Sequence, residues 1–156
     1  MVSADYRQMR DEFSRHELLE KLKPTIERRI TEASKEAQFS VRVGTYLEDY
    51  GFERKAFPTG TTADSFIPFD GNYVVRFSNA QAVSHIAVSI AEAKKAATAL
   101  KSSRSATITY SGTLDKCVEE TINYNPCKVV YLKINKMTLS LEGGPQFTQA
   151  IDPSVP

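Results

Sequence analysis

Two histidines and two cysteines, His16, His85, Cys117 and Cys127, are the scarce reactive side chains of this sequence. A zinc or other transition-metal site needs them close together, typically as pairs two to five residues apart. None of the four stands at such a spacing, so the histidines read as structural or solvent-facing and no metal or other cofactor is expected. Nucleophilic catalysis by Cys117 with His85 as base depends on spatial rather than sequential closeness. Cys117 shares an apolar stripe with Leu114, Val118 and Ile122, which reads as a small hydrophobe buried on a short helix.

Other reaction classes lack their residues. There is no G-x-S-x-G turn, and "PTGTTADS" (58–65) has one glycine and no lysine after it, unlike a phosphate-binding loop. His85 is followed by Ile86 and Ala87, which excludes paired H-x-T phosphodiesterase motifs. Glu48-Asp49 and Glu119-Glu120 are adjacent in sequence, so on a helix they diverge and serve solvent. One cationic group remains: Lys94, Lys95, Lys101 and Arg104 follow Glu92 with no acid until Asp115. Cations at a helix C-terminus complement its dipole, and contact with nucleic acid or phosphate is the functional alternative. No enzymatic activity is expected.

The scaffold that holds these groups is ordinary in size and charge. A chain of 156 residues with net charge +1 can bury a core as one domain and has no global attraction for nucleic acid or anionic lipid. The start, "MVSADYRQMRDEF", carries both charge signs where a secretory signal needs an apolar run, and no membrane association is expected. Two cysteines are compatible with reduced thiols, and a single bridge between them stays open.

Residues 3–37 have helical periodicity in two stripes: Tyr6, Met9 and Phe13, then Leu19, Leu22, Ile26, Ile30, Ala33 and Ala37. "SRHE" at 14–17 has the form of a capping box, and Pro24 predicts a kink or a fresh start. Phe39, Val41 and Val43 alternate as a strand. "TYLEDYG" predicts one or two helical turns from Thr45 to Gly51, and "FERKAF" resumes extended structure.

Ile30, Ala33, Val41, Val43, Leu47 and the triplet Tyr50-Gly51-Phe52 together resemble a helix-strand-helix-strand unit of small bacteriophage proteins. The resemblance covers residues 28–57. It implies a phage setting, in the host cytoplasm or the virion, and brings no catalytic residues.

Residues 58–70 read as a loop whose Phe66, Ile67 and Phe69 either pin it to the core or form a contact patch. "NYVVRF" is a strand, and Ser78 with Gln81 predicts a capping box. The helix beyond it carries Val83, Ile86, Ile90, Ala93, Ala97 and Leu100 on one face. "SATITY" is a strand that turns at Ser111-Gly112 into the short helix. "CKVVYLKI" and "MTLSLEG" predict a hairpin joined at Asn135-Lys136.

The expected architecture is α+β, helices on a mixed or antiparallel sheet of about five strands, within a single domain over 1–144. Residues 145–156 are expected to be a mobile tail whose Phe147, Ile151 and Val155 suit an arm laid on a neighbouring subunit. With no reaction in sight, the expected role is protein-protein association: a homo-oligomer, or a virion or accessory component binding other phage proteins. A host-directed phage factor that binds a host enzyme or nucleic acid is the alternative.

Overall fold

The computed structural model describes residues 37–154 continuously and, before them, residues 17, 20–25, 28–29 and 32. The chain divides into two units, Met1–Ala37 and Gln38–Pro156, rather than a domain and a tail. In the first, every described residue from 17 to 32 is helical, Pro24 included, and Arg28 pairs with Glu32 one turn later. The stripe residues Tyr6, Met9, Phe13, Leu19, Ile26, Ile30 and Ala33 lie outside the described set, as does His16.

The second unit is an α+β layer structure on a mixed six-stranded sheet. Its frame is one long antiparallel hairpin, β6 (Ser105–Ile122) with β7 (Asn125–Leu141). The turn has two residues, Asn123 and Tyr124, both with positive φ, the backbone sense that matches the right-handed twist of the strands. β1 (Gln38–Tyr46) pairs antiparallel with the first half of β6. On the far side of β7, β4 (Tyr73–Phe77) runs parallel to its first half, and β8 (Gln146–Ala150) runs antiparallel to its second half. β3 (Ile67–Pro68) adds a short edge to β4.

Two positions absorb a change of phase in the hairpin. The register shifts at Ser111/Gly112 and again at Leu114/Lys116, which leaves Asn135 and Asp115 unopposed as bulges. Both turn signals read from the sequence, Ser111-Gly112 and Asn135-Lys136, are this first bulge, and the two predicted strands are one continuous β7. The predicted helix at 114–122 is likewise strand. Its three-residue step from Leu114 to Cys117 spans the second bulge, while Val118 and Ile122 belong to the opposite face. Gly112 is required here, since a Cβ would lie 2.1 Å from the Lys133 carbonyl oxygen.

One face of the sheet carries Val75, Phe77, Ile108, Tyr110, Leu132, Ile134, Met137 and Leu139, all buried. Over it lie a two-stranded ribbon, β2 (Ala56–Pro58) with β5 (His85–Ala87), and helix α1 (Ile90–Ser102). Phe57 and Ile86 face each other in the ribbon and are both fully buried. The predicted helix therefore starts later than expected. Ala80–Val83 form a single 3₁₀ turn, the chain extends to pair with β2, and the capping box is formed by Ser89 with Glu92. The opposite sheet face has a smaller cluster of Val74, Ile122 and Val129, bordered by Arg76 paired with Glu120 at 3.2 Å.

The predicted helix between Thr45 and Gly51 is absent. Leu47 N–H donates to the Arg104 carbonyl at 2.9 Å, extending the β1–β6 ladder, and Gly51 exchanges hydrogen bonds with Ala56 to close a tight turn. The backbone groups a helix would use are committed elsewhere. The predicted tail is also structured: β8 seats Phe147 opposite Leu139, and Ile151 follows it into the core.

Candidate functional site

An apolar concavity with charged groups on its rim lies between α1 and the segment 48–52. Its helix wall is built by sequence spacing. Ala96 points into the core and is fully buried; Ala93 and Leu100, on either side of it, are half-buried against the core and also line the groove, while Ile90 and Ala97 lie exposed along it. That stripe was expected to be the buried face, yet Ile90 is 39 % exposed. Alanine at its middle positions keeps the wall low, and the groove has a volume of about 740 Å³.

The facing wall is aromatic and anchored. The Tyr50 hydroxyl donates to the Val88 carbonyl at 2.7 Å, just ahead of the helix cap. Its ring meets Phe57 and Phe52 edge-on, with ring centres 5.0 and 5.2 Å away. Phe57 closes the floor, whereas Phe52 stands 71 % exposed. Phe52 is thus an exposed aromatic held edge-on against the half-buried Tyr50.

Charge is arranged around this apolar centre. Lys94 and Lys101, two turns apart on α1, line the helix rim. Arg104 also lines the groove, but its guanidinium is committed: it donates to the Leu47 carbonyl at 3.1 Å and to the Asp49 carboxylate. The hydrogen bond to Asp49 and its negative charge hold the Arg104 pKa above the usual arginine value. Glu48 occupies the opposite rim. Of the four cations grouped by the sequence, two remain available at the groove. Lys95 is exposed one position round the helix and does not line it.

The other sequence candidates separate. The His85 ring lies between Arg54, 3.2 Å from Nε2, and the Ser84 hydroxyl, 3.0 Å from Nδ1. Ser84 itself donates to the Gln81 carbonyl, so the consistent tautomer has Nδ1 donating and Nε2 accepting. Cys117 is not a partner of His85. It is an exposed residue of β6 opposite Val130, not a buried helical one. Cys127, opposite Glu120, projects from the other face of the hairpin, and both thiols are free. Among the described residues no group of His, Cys, Asp or Glu is placed to hold a metal.

The aromatic loop is divided. Ile67 packs against the core, Phe69 is 78 % exposed, and Phe66 lines a smaller cavity of about 240 Å³. Tyr110 reaches this cavity, its hydroxyl 2.8 Å from that of Thr61, and burial pushes its pKa up. Phe147 and Ile151 belong to the core of their own chain, and Val155 lies outside the described residues. Glu48, Tyr50 and Phe57 were not read from sequence as parts of one site. The only signal was the Tyr50-Gly51-Phe52 triplet, which the resemblance to phage proteins had marked for another reason.

Residues 3–98 match the family described as Domain of unknown function (DUF4852), a span that includes both walls of the groove as far as Thr98. No curated protein and no solved structure matches the chain.

Proposed function

The chain belongs to the DUF4852 family, and on that premise we propose that it acts through protein-protein association, without turnover of a substrate. The observation that carries this reading is the groove beside α1, an apolar channel whose exposed aromatic, Phe52, is braced by Tyr50 and flanked by charge. Exposed apolar surface with a polar rim is the usual mark of a protein contact. Copies of the chain itself are the first candidates for partner. A virion or accessory role in a bacteriophage is the setting we propose, resting on the sequence resemblance over residues 28–57.

Light scattering on the purified chain across a concentration series tests the homo-oligomeric form. Assembly beyond the monomer, weakened by Phe52→Ser, is expected. A monomer at every concentration, together with no complex formed with proteins encoded beside it, overturns the reading. Removal of residues 145–156 is unsuitable as a test, because β8 and Ile151 are parts of the sheet and core.

A further inference from the structure

We propose that the groove receives an amphipathic α-helix of a partner protein, with carboxylates along one flank of that helix. This rests on the association reading and adds the chemistry of the partner.

Three observations lead to it. The first is the repeat on α1: Ile90, Ala93, Ala97 and Leu100 recur at steps of three, four and three, the spacing of a helix-helix seam, over a helix about 20 Å long. Alanines at the middle of the seam leave room for large apolar side chains from the other side. The groove volume corresponds to about 25 water molecules, enough for several such side chains and far more than an ion needs.

The second is the state of the backbone in the longer wall. The groups of α1 bond within the helix, so this wall presents no row of amides and carbonyls for an added strand. A partner lying along α1 must satisfy its own backbone, which a helix does.

The third is charge. Lys94 and Lys101 follow the seam residues Ala93 and Leu100 and repeat about 10 Å apart along the axis. Carboxylates seven residues apart on a partner helix match that interval. With Arg104 occupied by Asp49 and Glu48 on the far rim, the opposite flank of the partner is neutral or basic. A single-headed amphiphile such as a fatty acid would engage one lysine and leave the second unused.

The test uses stapled, fluorescein-labelled helical peptides of about five turns, with leucine along one face, glutamate along one flank and glutamine along the other. A counterpart carries lysine for glutamate. Fluorescence anisotropy with the full chain at low salt is expected to show saturable binding of the acidic peptide and about tenfold weaker binding of the basic one. Lys94→Glu with Lys101→Glu is expected to reverse the order. Ala97→Phe, at an exposed helix position, fills the seam and abolishes binding, while circular dichroism checks that the helix is retained. No saturable binding, or equal binding of both peptides insensitive to these variants, overturns the proposal. Binding of dodecanoate in the groove without binding of the acidic peptide also overturns it and assigns the site to an amphiphile. Self-assembly that persists in Ala97→Phe, without peptide binding, leaves association standing and removes only this occupant.

Discussion

Asn79 joins two otherwise separate parts of the sheet, and its replacement gives a measurable loss. β4 pairs with β7 as far as Leu132 and β8 pairs from Lys136 onward, so Ile134 lies in the gap between them. The Asn79 amide fills that gap like a piece of strand. Ile134 N–H donates to Oδ1 at 2.9 Å, and Nδ2 donates to the Ile134 carbonyl at 2.8 Å. Asn79 is 1 % exposed and Ile134 fully buried, so water does not replace either bond in the native state.

Asn79→Ala leaves one buried donor and one buried acceptor unpaired, each at roughly 1–3 kcal/mol. About 4 kcal/mol in total is expected, against a typical whole-domain stability of about 5–15 kcal/mol. At about 2–4 °C per kcal/mol for a chain of this size, the midpoint should fall by roughly 10 °C. Asn79→Asp supplies a sharper check. Its ionised carboxylate would face the Ile134 carbonyl, whereas the protonated form restores the donor, so the folded pKa is raised above the unfolded carboxylate value. A raised folded pKa means that its contribution is fully present below the unfolded pKa and lost as pH rises through the folded one. The Tm deficit of Asn79→Asp relative to wild type should therefore shrink on acidification. Thermal melts across pH, with hydrogen exchange at the Ile134 amide, measure both effects. A loss under about 1 kcal/mol for Asn79→Ala, with Ile134 protection unchanged, would refute the reasoning.

Further outcomes follow from other local features. Gly112→Ala should destabilise by about 3 kcal/mol or more, since the new Cβ meets backbone rather than a movable side chain; urea denaturation reads this. Tyr124→Gly should stabilise by about 1 kcal/mol, because an exposed tyrosine with φ of 67° holds a left-handed backbone at the hairpin tip; a lower melting temperature would contradict it. Ser89→Ala should cost about 1 kcal/mol of helix-cap stability. The Glu92 pKa is lowered chiefly by the Ser89 hydroxyl, so that cap contributes above the unfolded carboxylate pKa and fades as pH falls through the folded one. The Ser89→Ala deficit should narrow in acid. Tyr110, raised by burial, acts in the opposite range: its contribution is complete below the ordinary tyrosine pKa and declines as pH rises past it. Tyr110→Phe should blunt alkaline unfolding.

The elements whose identity was legible are those with an uninterrupted local pattern. Phe39–Val43 of β1 alternate, β4 is a short β-branched run, and the stripe from Ile90 to Leu100 repeats at helical period, so the type of each element was readable although its ends were not. Where a bulge intervened, the reading failed. Asp115 and Asn135 each add one residue to a strand, which turns a period of two into a step of three and makes strand resemble helix or turn. The capping box was misplaced for a related reason: Ser78 with Gln81 and Ser89 with Glu92 are similar sequences, and only the pairing of His85–Ala87 with Ala56–Pro58 selects the second.

For the candidate site, the residue types on α1 and the mixed α+β class were determined by sequence alone, because amphipathic spacing and β-branched runs act over a few neighbouring residues. That Lys94 and Lys101 face Tyr50 and Phe52 across an open channel, that Arg104 is bound to Asp49, and that Phe147 fills its own core were decided by tertiary structure. The first two join segments some tens of residues apart, and the third depends on β8 folding back onto β7. No local preference carries them, since they arise from which face of the helix the sheet leaves uncovered once Ala96 is buried.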